Sequence, residues 1–182
     1  MSQSTSPQSV FDLFYRMDSA GVLIEVGGKW DQFAQENGGA ALIGQAVIGK
    51  PMLRFITGDA PRMHFLTLLE KHRLLAGESI LPYRCDSPQH KRFMEMRMRQ
   101  DHDGTILCLH RTVRVEPLSP ARSFVYHKAS TTASRCSMCN RVRVDKFWVE
   151  PEATPASETH PLGVVYTVCA DCRAGIKRKA QT

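Results

Sequence analysis

The sequence predicts an α+β fold: an antiparallel sheet with helices over one face, followed by a small C-terminal zinc-binding module built on four cysteines. Three observations carry that expectation. "FMEMRMRQDHDGTILCLHRTVRVE" alternates apolar and polar residues around an Asp103-Gly104 turn, "DAPRMHFLTLLEKHRLLAG" has helical spacing, and the spacing of Cys136 and Cys139 returns at Cys169 and Cys172. A chain of 182 residues is long enough for one well-cored domain and an appendage.

Taken in order, "SPQSVFDLFYRM" reads as a short amphipathic helix, with Ser6 and Pro7 as start signals and Phe11, Phe14 and Tyr15 on one side. "GVLIEVGGKWDQFA" reads as two strands around a Gly27-Gly28 turn, and "NGGAALIGQAVIGKPMLRFITGD" as short helical turns and loops. The longest helix should be capped by Asp59, accept Pro61 in its first turn and end at Gly77, with Met63, Leu66, Leu69 and Arg73 along one side and Phe65 and Leu68 adjacent. A strand follows in "ESILPYR", where Pro82 requires an edge or bulged position.

If Asp103 and Gly104 form a two-residue loop, Met98 faces Leu109 and Met94 faces Val113. Glu95, Arg97, Arg99, Cys108, His110, Thr112 and Arg114 then share the opposite face, which should be wet or covered by a partner. Residues 117–134, rich in proline, serine and threonine, read as a linker between residues 10–116 and a module at 135–175; residues 176–182 are a basic tail.

Zn²⁺ takes four thiolate or imidazole donors in a tetrahedron, and each C-x-x-C knuckle supplies two. Cys136, Cys139, Cys169 and Cys172 therefore read as the ligands of one Zn²⁺ per chain. "VRVDKFWVE" and "LGVVYTV" are expected to pair as strands that bring the knuckles together. Phe147, Trp148 and Tyr166 would pack around the site, His160 is a spare donor in a loop, and Cys85 and Cys108 are ordinary sheet thiols. A thioredoxin-type motif appears once at a helix start, whereas here the pair is repeated without that context. A full shell of four cysteines leaves no open catalytic position, and no phosphate-binding glycine loop is present, so no enzyme activity is expected.

The order of strands, short helices, one longer helix and a meander resembles a PAS domain over roughly residues 10–116, the resemblance lying in "GGKWDQFAQENG", "VIGKPMLRFITGD" and "PYRCDSPQHKRFMEM". Joined to a cysteine-pair tail, the chain resembles bacterial proteins that couple a PAS-like domain to a small zinc-ribbon-like module. The resemblance implies a five-stranded antiparallel sheet with helices over one face, and a role in sensing or protein association. "ENGGAALIGQAV" has no cysteine, which argues against a flavin photoreceptor. His64 and His72 are the imidazoles that could ligate haem iron, but charged neighbours Glu70, Lys71 and Arg73 mark that helix face as surface, so zinc and not haem is the expected cofactor.

The formal charge of +6 is uneven: residues 1–120 hold 14 Lys and Arg against 13 Asp and Glu, and residues 121–182 hold 10 against 5. The expected function is non-catalytic signalling or regulation, with a protein partner or self-association through the PAS-like domain. The basic C-terminal part, including Lys177, Arg178 and Lys179, suggests a nucleic-acid-binding regulator as an alternative, and the thiolates suggest a redox switch. The start "MSQSTSPQSV" has no secretory pattern, and no apolar run approaches the ~20 residues of a membrane span, so the expected location is cytoplasmic.

Overall fold

The structure of the protein, a computed structural model, describes residues 11–37, 39–75, 77–128 and 133–178, the side chains of 176–178 excepted. The first segment is a strand, β1 (Leu13–Met17), and not the expected helix. Leu13, Tyr15 and Met17 are buried and Phe14 and Arg16 are not, a period of two that pairing on both edges imposes. Ser6 and Pro7 lie outside the described residues.

β2 (Leu23–Gly28) returns antiparallel to β1. The turn lies before it, where Asp18 Oδ1 accepts the amides of Ala20 and Val22 at 2.8 and 2.9 Å. Gly27 and Gly28 therefore end a strand instead of linking two. A Cβ on Gly27 would lie 2.5 Å from the Phe14 ring, and one on Gly28, at φ +67°, would lie 2.6 Å from the Asp12 carbonyl. Helix α1 (Trp30–Glu36) follows directly. The expected short turns are present as α2 (Gly44–Val47) between 3-10 turns at Ala40–Leu42 and Met52–Phe55.

Helix α3 (Asp59–Leu74) starts after Gly58, and Asp59 makes no side-chain cap. Its buried face is Pro61, Phe65, Leu68, Leu69 and His72, whereas Met63 is 62% exposed and Leu66 38%. The face is rotated relative to the expected one because the i, i+4, i+7 and i+11 positions from Pro61 meet the sheet.

β3 (Glu78–Arg84), β4 (His90–Gln100) and β5 (Ile106–Pro117) complete a five-stranded antiparallel sheet in the order β2-β1-β5-β4-β3. Pro82 sits on the edge strand, as its missing N–H requires. The β4–β5 loop is one residue longer than expected: the Asp101 amide bonds the Thr105 carbonyl at 2.8 Å, the Gly104 amide bonds the Asp101 carbonyl at 3.0 Å, and Gly104 has φ +81°. That is the three-residue loop with glycine in the left-handed position.

The one-residue slip reverses the facing of β5. Met98 stands opposite Cys108, Met96 opposite His110 and Met94 opposite Thr112, so Cys108 and His110 join the core instead of the wet face. A register shift between Phe93 and Met94 leaves Val113 as an extra residue, and from Phe93 opposite Arg114 outward the expected register returns. The core combines Tyr15, Met17, Leu23, Met96, Met98, Ile106 and Cys108 with Phe65, Leu68 and Leu69 of α3. Across the sheet, Arg97–Glu78 at 3.4 Å and Arg111–Glu95 at 3.1 Å form surface ion pairs, and Arg99 pairs with Asp101 at 3.2 Å at the end of β4.

A second sheet has the order β6-β10-β7-β8-β9. It comprises β6 (Phe124–Tyr126), β7 (Ala133–Cys136), β8 (Val142–Val144), β9 (Phe147–Val149) and β10 (Leu162–Thr167). The segment read as a linker, 117–134, thus contributes β6 and the start of β7. "VRVDKFWVE" folds on itself as the β8–β9 hairpin, with Asp145 at φ +55°, and β10 pairs in parallel with β6 and β7 instead of with that hairpin. α4 (Ala170–Arg178) closes the described chain.

The two sheets are joined by the Arg84 amide bonding the Met138 carbonyl at 2.7 Å, and by an Arg84 ion pair with Glu150 at 2.6 Å. Arg84 also pairs with Asp86, whose side chain is fully buried, and Lys91 pairs with Glu152.

Two outcomes follow from the inward turn of β4, β5 and α3. Met98→Ala should lower unfolding free energy by about 2–5 kcal/mol, and Met63→Ala by no more than about 0.5 kcal/mol, in urea titrations. His110 stacks on Tyr15 with centroids 5.3 Å apart, its Nδ1 lies 2.8 Å from the Tyr83 hydroxyl, and burial pushes its pKa down to about 4. The unfolded chain therefore binds the extra proton between about pH 6.5 and 4, so stability is full above that window and falls as pH drops through it. The loss is about 3 kcal/mol at most, and His110→Leu should remove that part of the pH slope.

Candidate metal centre

β7 ends at Cys136 and the chain turns at once. The Asn140 amide bonds the Cys136 carbonyl and the Cys136 amide bonds the Arg141 carbonyl, each at 2.9 Å. Asn140 takes φ +58°, a conformation its short amide side chain tolerates better than a branched one. This knuckle presents Cys136 and Cys139. The second arises where β10 stops beside β7: parallel pairing sets Thr167 against Cys136, Val168 and Cys169 follow, and Cys172 sits in the first turn of α4.

The four sulfurs lie within 4.8 Å of one another, with Cys139 Sγ 3.9 Å from Cys169 Sγ. A zinc tetrathiolate with bonds of about 2.3 Å has S···S edges of about 3.8 Å, so the spacing suits such an ion. Cys136 and Cys169 are buried, while Cys139 and Cys172 are half-buried. Val168, Met138 and Trp148 pack around them. The Cys169 amide points at Cys136 Sγ at 3.4 Å, and Arg141 Nε lies 3.5 Å from Cys139 Sγ while its Nη2 pairs with Asp171 at 3.1 Å.

This crowding splits the acidities. Hydrogen bonds from Cys136, then Cys172, together with Arg141, push the Cys139 thiol far below its ordinary value. Hydrogen bonding to Cys136 and Cys139, followed by burial, pushes Cys172 far above it. One thiolate forms readily and the last does not, because each new anion faces its neighbours in a partly dry site. A divalent cation held by the four sulfurs would supply the missing positive charge, with Arg141 and the N-terminus of α4 offsetting part of the remainder.

Cys136, Cys139, Cys169 and Cys172 are thus brought together. His160 is exposed in the loop before β10, with Nδ1 3.0 Å from Thr159 Oγ1. Cys108 is buried in the first sheet, where burial pushes its thiol up to about 12. Of the three aromatic residues expected around the sulfurs, Trp148 packs there, Tyr166 packs in the second sheet's core, and Phe147 is 73% exposed. His72 is buried, not on the surface, with Nδ1 2.7 Å from the Leu68 carbonyl.

Arg141, Asn140 and Asp171 went unnoticed in the sequence. Their only signal there is adjacency to the knuckles. Lys179 and the side chains of Lys177 and Arg178 lie outside the described residues. No described helix is long and apolar enough to cross a membrane. No family model matches the chain, and no curated protein matches it.

Elemental analysis of protein purified without chelator should return one divalent ion per chain. Cys136→Ser should abolish that content and open the second sheet to protease. A metal-free wild type, or a Cys136→Ser variant as protected as wild type, would refute the site.

Proposed function

We propose that the chain is a non-catalytic regulatory protein of the cytoplasm, in which a PAS-like domain (10–116) senses a signal or binds a protein and a Zn²⁺-held module (135–175) supplies a second contact surface. The observation that carries this reading is the four-cysteine cluster at the junction of the two sheets, its knuckle hydrogen-bonded through Met138 to the edge strand β3. Four sulfurs within 4.8 Å of one another suit a single tetrathiolate-bound ion, Zn²⁺ or iron, and a colourless preparation would select zinc. The five-stranded antiparallel sheet with helices over one face is the architecture that the PAS resemblance implies, and it supports that part of the reading.

Protein association is favoured over nucleic-acid binding because Arg122, Arg135, Arg141 and Arg143, four of the ten basic residues after residue 120, are engaged internally. Arg135 approaches Asp86 at 3.9 Å, Arg141 pairs with Asp171 at 3.1 Å, and Arg122 donates to the Glu152 carbonyl at 3.0 Å. Cations already paired in this way have less to gain from phosphates.

Light scattering and pull-down with the metal-loaded chain should show self-association or a captured protein, little changed between about 0.05 and 0.2 M salt, while duplex DNA and RNA show no mobility shift. A mobility shift that weakens steeply with salt would replace this reading with the nucleic-acid one.

A further inference from the structure

We infer that the seam between the first sheet and the Cys136–Cys139 knuckle is a binding site for a neutral, monocyclic aromatic molecule bearing a hydrogen-bonding group, and that its occupancy is coupled to metal binding. The inference deepens the sensing half of the proposed function and rests on it. A cavity of about 230 Å³ opens here, walled by Tyr83, Met96 and His110 of the sheet, His64 and Phe65 of α3, and Met138 of the knuckle.

Two imidazoles make this a site and not a packing defect. His110 is 7% exposed, its Nδ1 is engaged by the Tyr83 hydroxyl, and its Nε2 is buried without a partner among the described residues. His64 Nε2, contributed by α3, is also buried and unpartnered among them. An unmet buried polar atom costs about 1–3 kcal/mol, which a ligand hydroxyl or carbonyl would relieve.

The remaining wall sets the ligand's character. Among the described residues no Asp, Glu, Lys or Arg lines the cavity, and burial holds the His110 pKa at about 4, with that of His64 lowered by burial and by Arg173. Both rings are neutral at pH 7, so a charged ligand would be desolvated without compensation. The rings of Tyr15, Tyr83 and Phe65 and the sulfurs of Met96 and Met138 suit an aromatic face. An apolar cavity of about 150 Å³ accepts benzene, so the larger volume here has room for a substituted ring.

The coupling follows from chain position. Met138 and Ser137 lie between Cys136 and Cys139, and Val168 immediately precedes Cys169, so one wall of the cavity is the metal knuckle itself. Whatever orders the knuckle preforms the cavity, and by linkage a ligand in the cavity tightens metal binding by the same factor.

The test titrates the metal-loaded full chain with p-cresol, toluene and benzoate, followed by calorimetry and by imidazole and amide NMR. The expected result is p-cresol binding with Kd below about 1 mM, toluene about tenfold weaker, and benzoate undetected. His110→Leu should bring p-cresol down to the toluene affinity, Met138→Trp should fill the cavity and abolish binding while the metal is retained, and chelation should weaken p-cresol about tenfold. Retained metal with no p-cresol binding at millimolar concentration overturns the ligand site and leaves the regulatory reading standing. Wild-type p-cresol affinity in both variants also overturns the site, and equal affinity with and without metal overturns the coupling.

Discussion

Four sulfur atoms within 4.8 Å of one another face a charge constraint before any question of function arises. The first proton leaves easily because Cys136, Cys172 and Arg141 solvate the Cys139 anion, whereas hydrogen bonding to Cys136 and Cys139 and burial hold the Cys172 proton. The second sheet is built around that constraint. Its own core is Ala133, Val142 and Val164 with a few half-buried neighbours, far too little apolar surface to hold five short strands unaided. Parallel pairing of β10 with β7 brings the two knuckles together, and a metal at their meeting point would convert a weak pairing into a fixed one.

How much of this is legible in the sequence depends on whether the signal is local. The spacing of Cys136, Cys139, Cys169 and Cys172 points to the cluster because two-residue knuckles need no knowledge of the rest of the fold. Pro82 marks an edge strand for an equally local reason, its missing donor. The interval 40–55 reads as short turns because its glycines and small side chains cannot build a longer element.

What the sequence hides is set by partners far along the chain. "FDLFYRM" fits a helix or a strand by pattern, and it is the β5 partner nearly a hundred residues away that makes it a strand. The β4–β5 turn shows how small a misreading matters. One residue added to the loop moves Cys108 and His110 from solvent to the core, and the Val113 bulge then restores the outer register, so alternation alone looks consistent under either pairing. The orientation of α3 is hidden for the same reason: Met63 and Leu66 are as apolar as Phe65 and Leu68, and only the sheet decides which pair is covered.

The junction of the two sheets ties these features into one mechanical unit. Arg84 is the last residue of β3, its amide holds the knuckle through Met138, and its guanidinium is shared by buried Asp86 and by Glu150 just after β9. A buried arginine is tolerable only with both carboxylates in place, so displacement of the β9 end leaves a cation partly uncompensated in the first sheet. Loss of order at the sulfurs therefore does not stay in the C-terminal module. It reaches the β3 edge through a backbone hydrogen bond and an ion network, and Tyr83, next to Arg84 on that strand, is hydrogen-bonded to His110 of β5, which links the cysteine cluster to the interior of the first sheet.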